Sequence, residues 1–143
     1  MAKVLIAFAT RTGQTKKIAE AITEALKVEG VEATMENINK IKSKEDLEGY
    51  DGYVLGAATY HGEMIGPMKT FLFLAEKANL KGKVGGAFGA FGWSGEAPGR
   101  IFDTMKNIFE MDMVRGPLRI KKVSAGDGVQ KAQAYAKEIA VKL

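Results

Sequence analysis

The residues of this sequence that can do chemistry are concentrated in three short segments, and the first links an apolar stretch to an amphipathic one. Residues 4–9 are apolar and predict a buried strand, and the next six residues are Thr10-Arg11-Thr12-Gly13-Gln14-Thr15. The first turn of a helix binds phosphate because its N–H groups lack partners and its dipole is positive there. The segment is neither a P-loop nor a dinucleotide fingerprint, and its hydroxyls favour a terminal phosphomonoester. In isolation it is equally consistent with a well-capped turn that binds nothing.

Two further segments combine small or hydroxyl residues with an aromatic side chain. Residues 58–64 contain Tyr60, and residues 90–95 contain Trp93. A phosphate-binding loop with two aromatic side chains at one crevice describes a slot for a flat, phosphorylated ring. Alone, each aromatic residue is better explained by packing. His61 is equally well explained as an exposed loop histidine, and Arg11 as a side chain that points into water.

Alternating strands and helices are predicted to position the three segments. After the first strand we expect strands at residues 31–35, 53–57 and 84–89, and two short pieces at 113–114 and 118–123. Short connections between strands and intervening helices imply a doubly wound α/β fold, a parallel sheet with helices on both faces. In such sheets ligands bind at the carboxyl ends of the strands, where the three segments would meet.

Four helices are expected between or after these strands. The first places Ile18, Ile22 and Leu26 inward, the second spans about 66–79, and the third spans about 96–109. The inner stripe of the third helix is predicted as Ile101, Met105 and Ile108. That of the last helix is predicted as Val129, Ala132, Ala136 and Ile139.

Composition excludes several classes of site. The 143 residues predict one domain, and the absence of cysteine excludes disulfides, Cys-ligated metals and thiol catalysis. His61 is the only histidine, which removes most transition-metal sites and a Ser-His-Asp triad. We expect a cytoplasmic protein, because we see no signal peptide and no apolar run long enough for a membrane. The net charge of +4 is spread among acidic residues, so we expect no binding to nucleic acid.

The three segments together resemble flavodoxins. Residues 10–15 resemble the T/S-x-T-G-x-T phosphate loop, and residues 56–61 resemble the G-S-P-T-Y loop that lies along the flavin, with Ala57-Ala58 in place of Ser-Pro. Residues 88–97 are similar to the F-G-S-Y-G-W-S-G-E-A segment in the flavodoxin-like FMN domain of flavodiiron proteins, and residues 116–121 also fit that domain. The chain is identified on these motifs as a member of the flavodoxin family.

The resemblance implies a five-stranded parallel sheet in the order 2-1-3-4-5, FMN as cofactor, and one-electron transfer between redox proteins. The sequence lacks the diiron domain of flavodiiron proteins and the insertion of long-chain flavodoxins, so we expect a stand-alone short-chain flavodoxin, a monomer or weak dimer. No catalytic or metal-binding residue is expected. The residues that the resemblance assigns to FMN are Thr10, Arg11, Thr12, Gly13, Gln14, Thr15, Ala58, Thr59, Tyr60, His61, Gly62, Ala90, Phe91, Gly92, Trp93, Ser94 and Gly95.

The resemblance also implies a ferredoxin, a rubredoxin, a flavoenzyme or a diiron protein as redox partner. A net positive flavodoxin suits an acidic partner. The basic residues considered for such a surface are Lys69, Lys77, Lys81, Lys83, Arg100, Arg115, Arg119, Lys121 and Lys122.

Two enzyme interpretations stay open. Residues 10–15 also resemble the S-T-R-D-G-Q-T loop of flavodoxin-like protoporphyrinogen oxidases, although those proteins carry a late insertion that this sequence lacks. A flavodoxin-like NAD(P)H:quinone or FMN reductase is the other alternative.

Overall fold

Strands and helices alternate along the chain as the sequence predicts. The structure is a computed structural model that describes residues 2–9, 13–57, 59–60, 63–64, 66–90, 96–120 and 128–143. The strands are β1 (Lys3–Ala9), β2 (Glu32–Asn37), β3 (Gly52–Ala57), β4 (Thr59–Tyr60), β5 (Glu63–Met64), β6 (Val84–Ala90), β7 (Asp112–Met113) and β8 (Leu118–Ile120). The helices are α1 (Gln14–Val28), α2 (Gly66–Glu76), α3 (Glu96–Asn107) and α4 (Gly128–Lys142).

The main sheet is parallel, and its strand order is β2-β1-β3-β6, followed by β7 and β8, which pair one after the other with the outer edge of β6. Because β7 and β8 share the fifth position, the order is the 2-1-3-4-5 that the resemblance implied. The central strands are apolar and buried on both faces, as parallel strands covered by helices must be. β4 and β5 form a separate antiparallel pair.

Helices cover both faces of the sheet. α1 packs against α4 on one face, and α2 and α3 lie side by side on the other. The inner stripe of α1 is confirmed, because Ile18, Ile22 and Leu26 are fully buried. Gly30 ends this helix in a left-handed conformation (φ 83°), as its position after the apolar stripe predicts.

Two details of the predicted inner stripes are wrong. α3 ends at Asn107, so Ile108 leaves the helical path and is 58% exposed, and Phe109 takes the buried position instead. In α4 the buried first-turn position belongs to Gly128, one residue before Val129, which is 45% exposed. The second helix also stops earlier than expected, at Glu76, and Asn79 has a positive φ of 55°.

A side chain bridges the gap between β7 and β8. β7 pairs with Val84 and Gly85, and β8 pairs from Phe88 onward. Between these pairings, the Tyr135 hydroxyl accepts a hydrogen bond from the Ala87 N–H at 2.9 Å and donates one to the Gly116 carbonyl at 2.8 Å. The side chain of Tyr135 in α4 therefore replaces a strand partner of β6. It connects β7 and β8, which are the two halves of a split edge strand.

Candidate functional site

The carboxyl ends of three adjacent strands lie level with one another. Ala9 at the end of β1 pairs with Ala57 at the end of β3, and Gly56 pairs with Phe88 of β6. β6 continues to Ala90, which pairs with Ile120 of β8. Since each predicted segment starts where one of these strands ends, all three leave the sheet at the same edge. This edge is called the carboxyl edge below, and the opposite one the amino edge.

The start of α1 is suited to an anion. Gly13 occupies the N-cap position with φ 89° and ψ −7°, a left-handed conformation that glycine adopts at little cost. Glycine has no side chain to cap the helix, and no acidic residue lies in the first turn. Lys16 and Lys17 are exposed in the same turn. The positive end of the helix dipole is therefore reinforced by charge rather than cancelled by it.

Two buried polar atoms at this helix start have no hydrogen-bond partner. Thr15 is fully buried, and its Oγ1 is unpaired, as is Gln14 Oε1. Among the described residues these are the buried side-chain oxygens and nitrogens left without a partner. An unsatisfied buried hydroxyl costs about 1–3 kcal/mol, which a ligand oxygen next to it would recover. The residues present thus fit a phosphate group.

The second segment contains a short hairpin. Thr59 pairs with Met64 and Tyr60 with Glu63, so two residues separate the paired backbones of β4 and β5. This pairing fixes the backbone of Tyr60 close to the carboxyl end of β3.

Close contacts hold the carboxyl end of β6 against the carboxyl end of β3. A Cβ atom on Gly89 would lie 2.2 Å from the Ala57 carbonyl oxygen and 2.8 Å from Pro98 Cγ, and one on Gly56 would lie 2.3 Å from the Phe88 ring. These glycines set the spacing between the ends of β3 and β6 and the start of α3. No role was predicted for these glycines from the sequence, although glycine inside a strand indicates such a close approach.

Arg119 lies beside the third segment. Its strand position pairs with Gly89, and a Cβ atom on Gly99, in the first turn of α3, would lie 2.7 Å from Arg119 Nη2. The guanidinium therefore lies against the start of the helix that follows residues 91–95. Lys81 and Lys83 lie instead at the amino edge, where Lys81 pairs with Glu110 at 3.2 Å.

Part of the predicted site can be placed. The structure brings the backbones of Gly13, Gln14, Thr15, Thr59, Tyr60 and Ala90 to the carboxyl edge. The other residues of the predicted site lie outside the described part of the chain; they are Thr10, Arg11, Thr12, Ala58, His61, Gly62, Phe91, Gly92, Trp93, Ser94 and Gly95.

Neither a metal-binding cluster nor a membrane-spanning helix occurs in the described part of the chain. Within the described ranges, no cluster of three His, Asp or Glu side chains is placed to hold a metal ion. None of the helices in those ranges combines the length and the apolar character needed to cross a bilayer.

Comparison with known proteins identifies the family. The family profile described as a flavodoxin domain matches residues 5–127. The chain is 30% identical over 143 residues to the putative diflavin flavoprotein A 2 of Thermosynechococcus vestitus, an alignment that covers 96% of this chain and 24% of that protein. The chain spans between 19% and 32% of the lengths of the curated relatives that it matches.

Solved structures also resemble this chain in fold. A flavodoxin from the domain Archaea superimposes with a TM-score of 0.91 at 30% identity, covering 98% of this chain and 97% of that one. Rubredoxin oxygen:oxidoreductase from Desulfovibrio gigas matches with a TM-score of 0.87 over 98% of this chain and 35% of its own, and at 23% identity this likeness concerns the fold alone. The chain therefore belongs to the flavodoxin family, and its flavoprotein relatives imply a flavin cofactor.

Proposed function

We propose that residues 1–143 act as one FMN-binding domain that carries electrons singly between redox proteins. The observation that carries this proposal is the unpaired, fully buried hydroxyl of Thr15 at an uncapped helix start. A phosphomonoester supplies acceptor oxygens for this hydroxyl and for the first-turn N–H groups, whereas a flavin without phosphate does not.

Each described part of the site has a distinct task in this proposal. Thr15 donates its hydroxyl to the phosphate. Gln14 can do the same through its side-chain nitrogen, because the two ends of an amide are interchangeable by rotation about one bond. Gly56 and Gly89 allow the close approach of the ends of β3 and β6, from which the second and third segments start. FMN, when bound, supplies the redox chemistry.

An electron carrier fits these residues better than an enzyme. Hydroxyls, amides and glycines bind and orient a cofactor, but they do not form the paired acid and base that proton-transfer chemistry needs. No observation favours the protoporphyrinogen oxidase or quinone reductase alternatives. Direct oxidation of NAD(P)H by the FMN-loaded protein, without a partner, would identify a reductase.

The test compares two buried threonines of α1. Thr15 is buried with an unpaired hydroxyl, whereas Thr23 is buried and donates to the Ala19 carbonyl at 2.7 Å. We expect Thr15→Val to raise the dissociation constant of FMN roughly ten- to a hundredfold, which corresponds to the loss of one charge-assisted hydrogen bond. Thr23→Val is the matched control and should leave FMN affinity unchanged. Calorimetric titration of the apoprotein measures both.

Riboflavin, which lacks the phosphate, separates phosphate binding from general damage. Its affinity should be the same in wild type and Thr15→Val. Equal losses for FMN and riboflavin, or unchanged FMN affinity in Thr15→Val, would contradict the phosphate assignment. A wild-type apoprotein that binds neither ligand would reject the flavin site altogether.

The partners that we propose are redox proteins with acidic docking surfaces, such as a rubredoxin, a ferredoxin, a flavoenzyme or a diiron protein. The support is the charge around the carboxyl edge, where Lys16 and Lys17 begin α1, Arg100 lies in the first turns of α3 and Arg119 lies on β8. Glu96 is the acidic residue at the start of α3. A cytoplasmic location stays a prediction.

A further inference from the structure

A second surface stands out on the face covered by α2 and α3. A groove of about 250 Å³ runs between α2 and the end of α3. Its apolar lining includes Leu72, Phe73, Ile108 and Phe109, and its charged lining includes Lys69 and Glu76. Phe73 is 73% exposed and Ile108 is 58% exposed, although both are large and apolar. This surface is called the α2 groove.

The two charged residues of the α2 groove lie at the ends of α2 where the helix dipole disfavours their charges. Lys69 lies in the first turn of α2, and Glu76 is its last residue. A helix favours acidic residues at its start and basic residues at its end, so both signs are the reverse of what α2 alone would favour. Lys69, Leu72, Phe73 and Glu76 are spaced as positions i, i+3, i+4 and i+7, and therefore share one face.

The charges on this face of α2 are complementary to those of the same face in a second copy of the chain. When two α2 helices pack antiparallel about a twofold axis between Leu72 and Phe73, residue 69 of each faces residue 76 of the other. Each Lys69 then meets a Glu76, twice, and the dipoles of the two helices oppose. Lys69 has three N–H donors, so a contact within its own chain leaves donors for a second acceptor.

We propose that the α2 groove is an interface between two copies of this chain. Phe73 of each copy enters the groove of the other and packs on Ile108 and Phe109, while the two Lys69–Glu76 pairs flank the axis. An interface with twofold symmetry must use one self-complementary patch, which is what this face offers. Because α2 starts at the carboxyl edge and its partner runs the opposite way, the two carboxyl edges point in opposite directions and stay open to redox partners.

The first test is sedimentation equilibrium of the full chain up to about 1 mM, a range that detects even a weak dimer. We expect a concentration-dependent dimer in the wild type. Phe73→Lys should abolish it, whereas Val141→Lys, which changes an apolar residue that is 85% exposed at the end of α4, should not. A wild type that remains monomeric throughout, or equal effects of the two variants, overturns the proposal.

Charge reversal tests the symmetry. Lys69→Glu and Glu76→Lys, each alone, should raise the dimer dissociation constant at least tenfold, because each places two like charges face to face. The double variant restores both pairs and should return to within about threefold of the wild type. A double variant as impaired as the singles overturns the twofold arrangement. Lys77→Glu, in the turn that directly follows α2 and outside the lining of the groove, is the matched control and should have no effect.

Folding and function are separable in these experiments. The two reversals agree with the dipole of α2, so neither should lower the melting temperature. FMN affinity should be unchanged in every variant, since none of the substituted residues belongs to the proposed flavin site. A variant that loses the dimer together with its fold or its FMN affinity counts against the proposal.

Discussion

The two edges of the sheet satisfy their polar groups in different ways. At the amino edge the chain provides its own partners: the Lys3 N–H donates to Asp51 Oδ2 at 2.9 Å, Lys81 pairs with Glu110, and Lys142 Nζ donates to Asp112 Oδ1 at 2.9 Å. At the carboxyl edge the Thr15 hydroxyl and Gln14 Oε1 are buried without partners.

This difference in pairing indicates that the amino edge serves stability and the carboxyl edge serves ligand binding. The exposed ion pairs of the amino edge contribute little, about 0–1 kcal/mol each. In the described part of the chain, no buried side-chain nitrogen or oxygen at this edge lacks a partner. The carboxyl edge retains an energetic cost, which the proposed phosphate would remove on binding. Unsatisfied groups are therefore more informative about function here than the number of contacts, and a substitution should affect the two edges differently.

The largest difference is expected between two glycines. Gly89 lies at the carboxyl edge, where an added Cβ would be 2.2 Å from the Ala57 carbonyl oxygen, and Gly82 lies at the amino edge with φ 78° and no atom within 4 Å of its Cβ position. Gly89→Ala must shift the backbone, so we expect a loss of about 3 kcal/mol or more in the free energy of unfolding. Gly82→Ala adds only local strain of about 1–2 kcal/mol.

Urea denaturation of the apoproteins measures both losses, and titration with FMN gives the second comparison. Gly89→Ala should also weaken FMN binding, because the second and third segments are pushed apart, whereas Gly82→Ala should not. Equal destabilisation by the two substitutions would show that the contact of Gly89 with Ala57 does not constrain the edge.

Tyr135 connects the two halves of the split edge strand, and loss of its hydroxyl should have an intermediate effect on stability. Tyr135→Phe leaves the Ala87 N–H and the Gly116 carbonyl without the hydroxyl that they share, at a cost of about 1–3 kcal/mol in the free energy of unfolding. β8 carries Arg119 and lies toward the carboxyl edge, whereas β7 lies toward the amino edge. The same variant therefore tests whether the two edges are coupled through the Tyr135 hydroxyl. Unchanged stability would mean that the bridge is dispensable.

The pH dependence of stability gives a control for this variant. Burial raises the pKa of Tyr135 well above its ordinary value of 10.0, the hydrogen bond from Ala87 lowers it in part, and Glu138 raises it further. The folded state therefore keeps a proton that the unfolded state releases above pH 10, so the contribution of Tyr135 is complete below pH 10 and is lost as pH rises beyond it. Tyr135→Phe should lose stability less steeply above pH 10 than the wild type does. Burial also raises the pKa of Tyr53, so some slope remains in the variant.

Sequence patterns predicted the element order because it depends on periodicity and on turn residues. They failed where an element ended. Helical spacing continued through Ile108, but α3 ends at Asn107 and Ile108 is exposed. In α4 the buried face starts at Gly128, so Val129 lies outside it. Periodicity describes a helix without its ends, so the residues at a terminus are the least predictable.

For the candidate site, the sequence predicts a location but not its detailed geometry, and its residues stay a prediction. The three segments and the carboxyl edge follow from strand order alone, which the motifs implied. The unpaired state of the Thr15 hydroxyl depends on how tightly α1 packs on the sheet, and the role of Gly89 depends on the register of β6 against β3. Both are three-dimensional facts that no local pattern contains.

The smallest expected effect concerns the charge of the two edges. Arg119→Gln and Lys81→Gln each remove one positive charge, the first beside the third segment and the second at the amino edge. If an acidic partner docks at the carboxyl edge, Arg119→Gln should lower the rate of electron transfer from a reduced ferredoxin severalfold at low salt, and Lys81→Gln should leave it nearly unchanged. The difference should fade as salt rises, because the screening length falls to about 8 Å at 0.15 M and about 3 Å at 1 M. Stopped-flow mixing measures these rates. Equal slowing by the two variants would show that the partner responds to the net charge of the whole protein, and docking at the carboxyl edge would then lose its support.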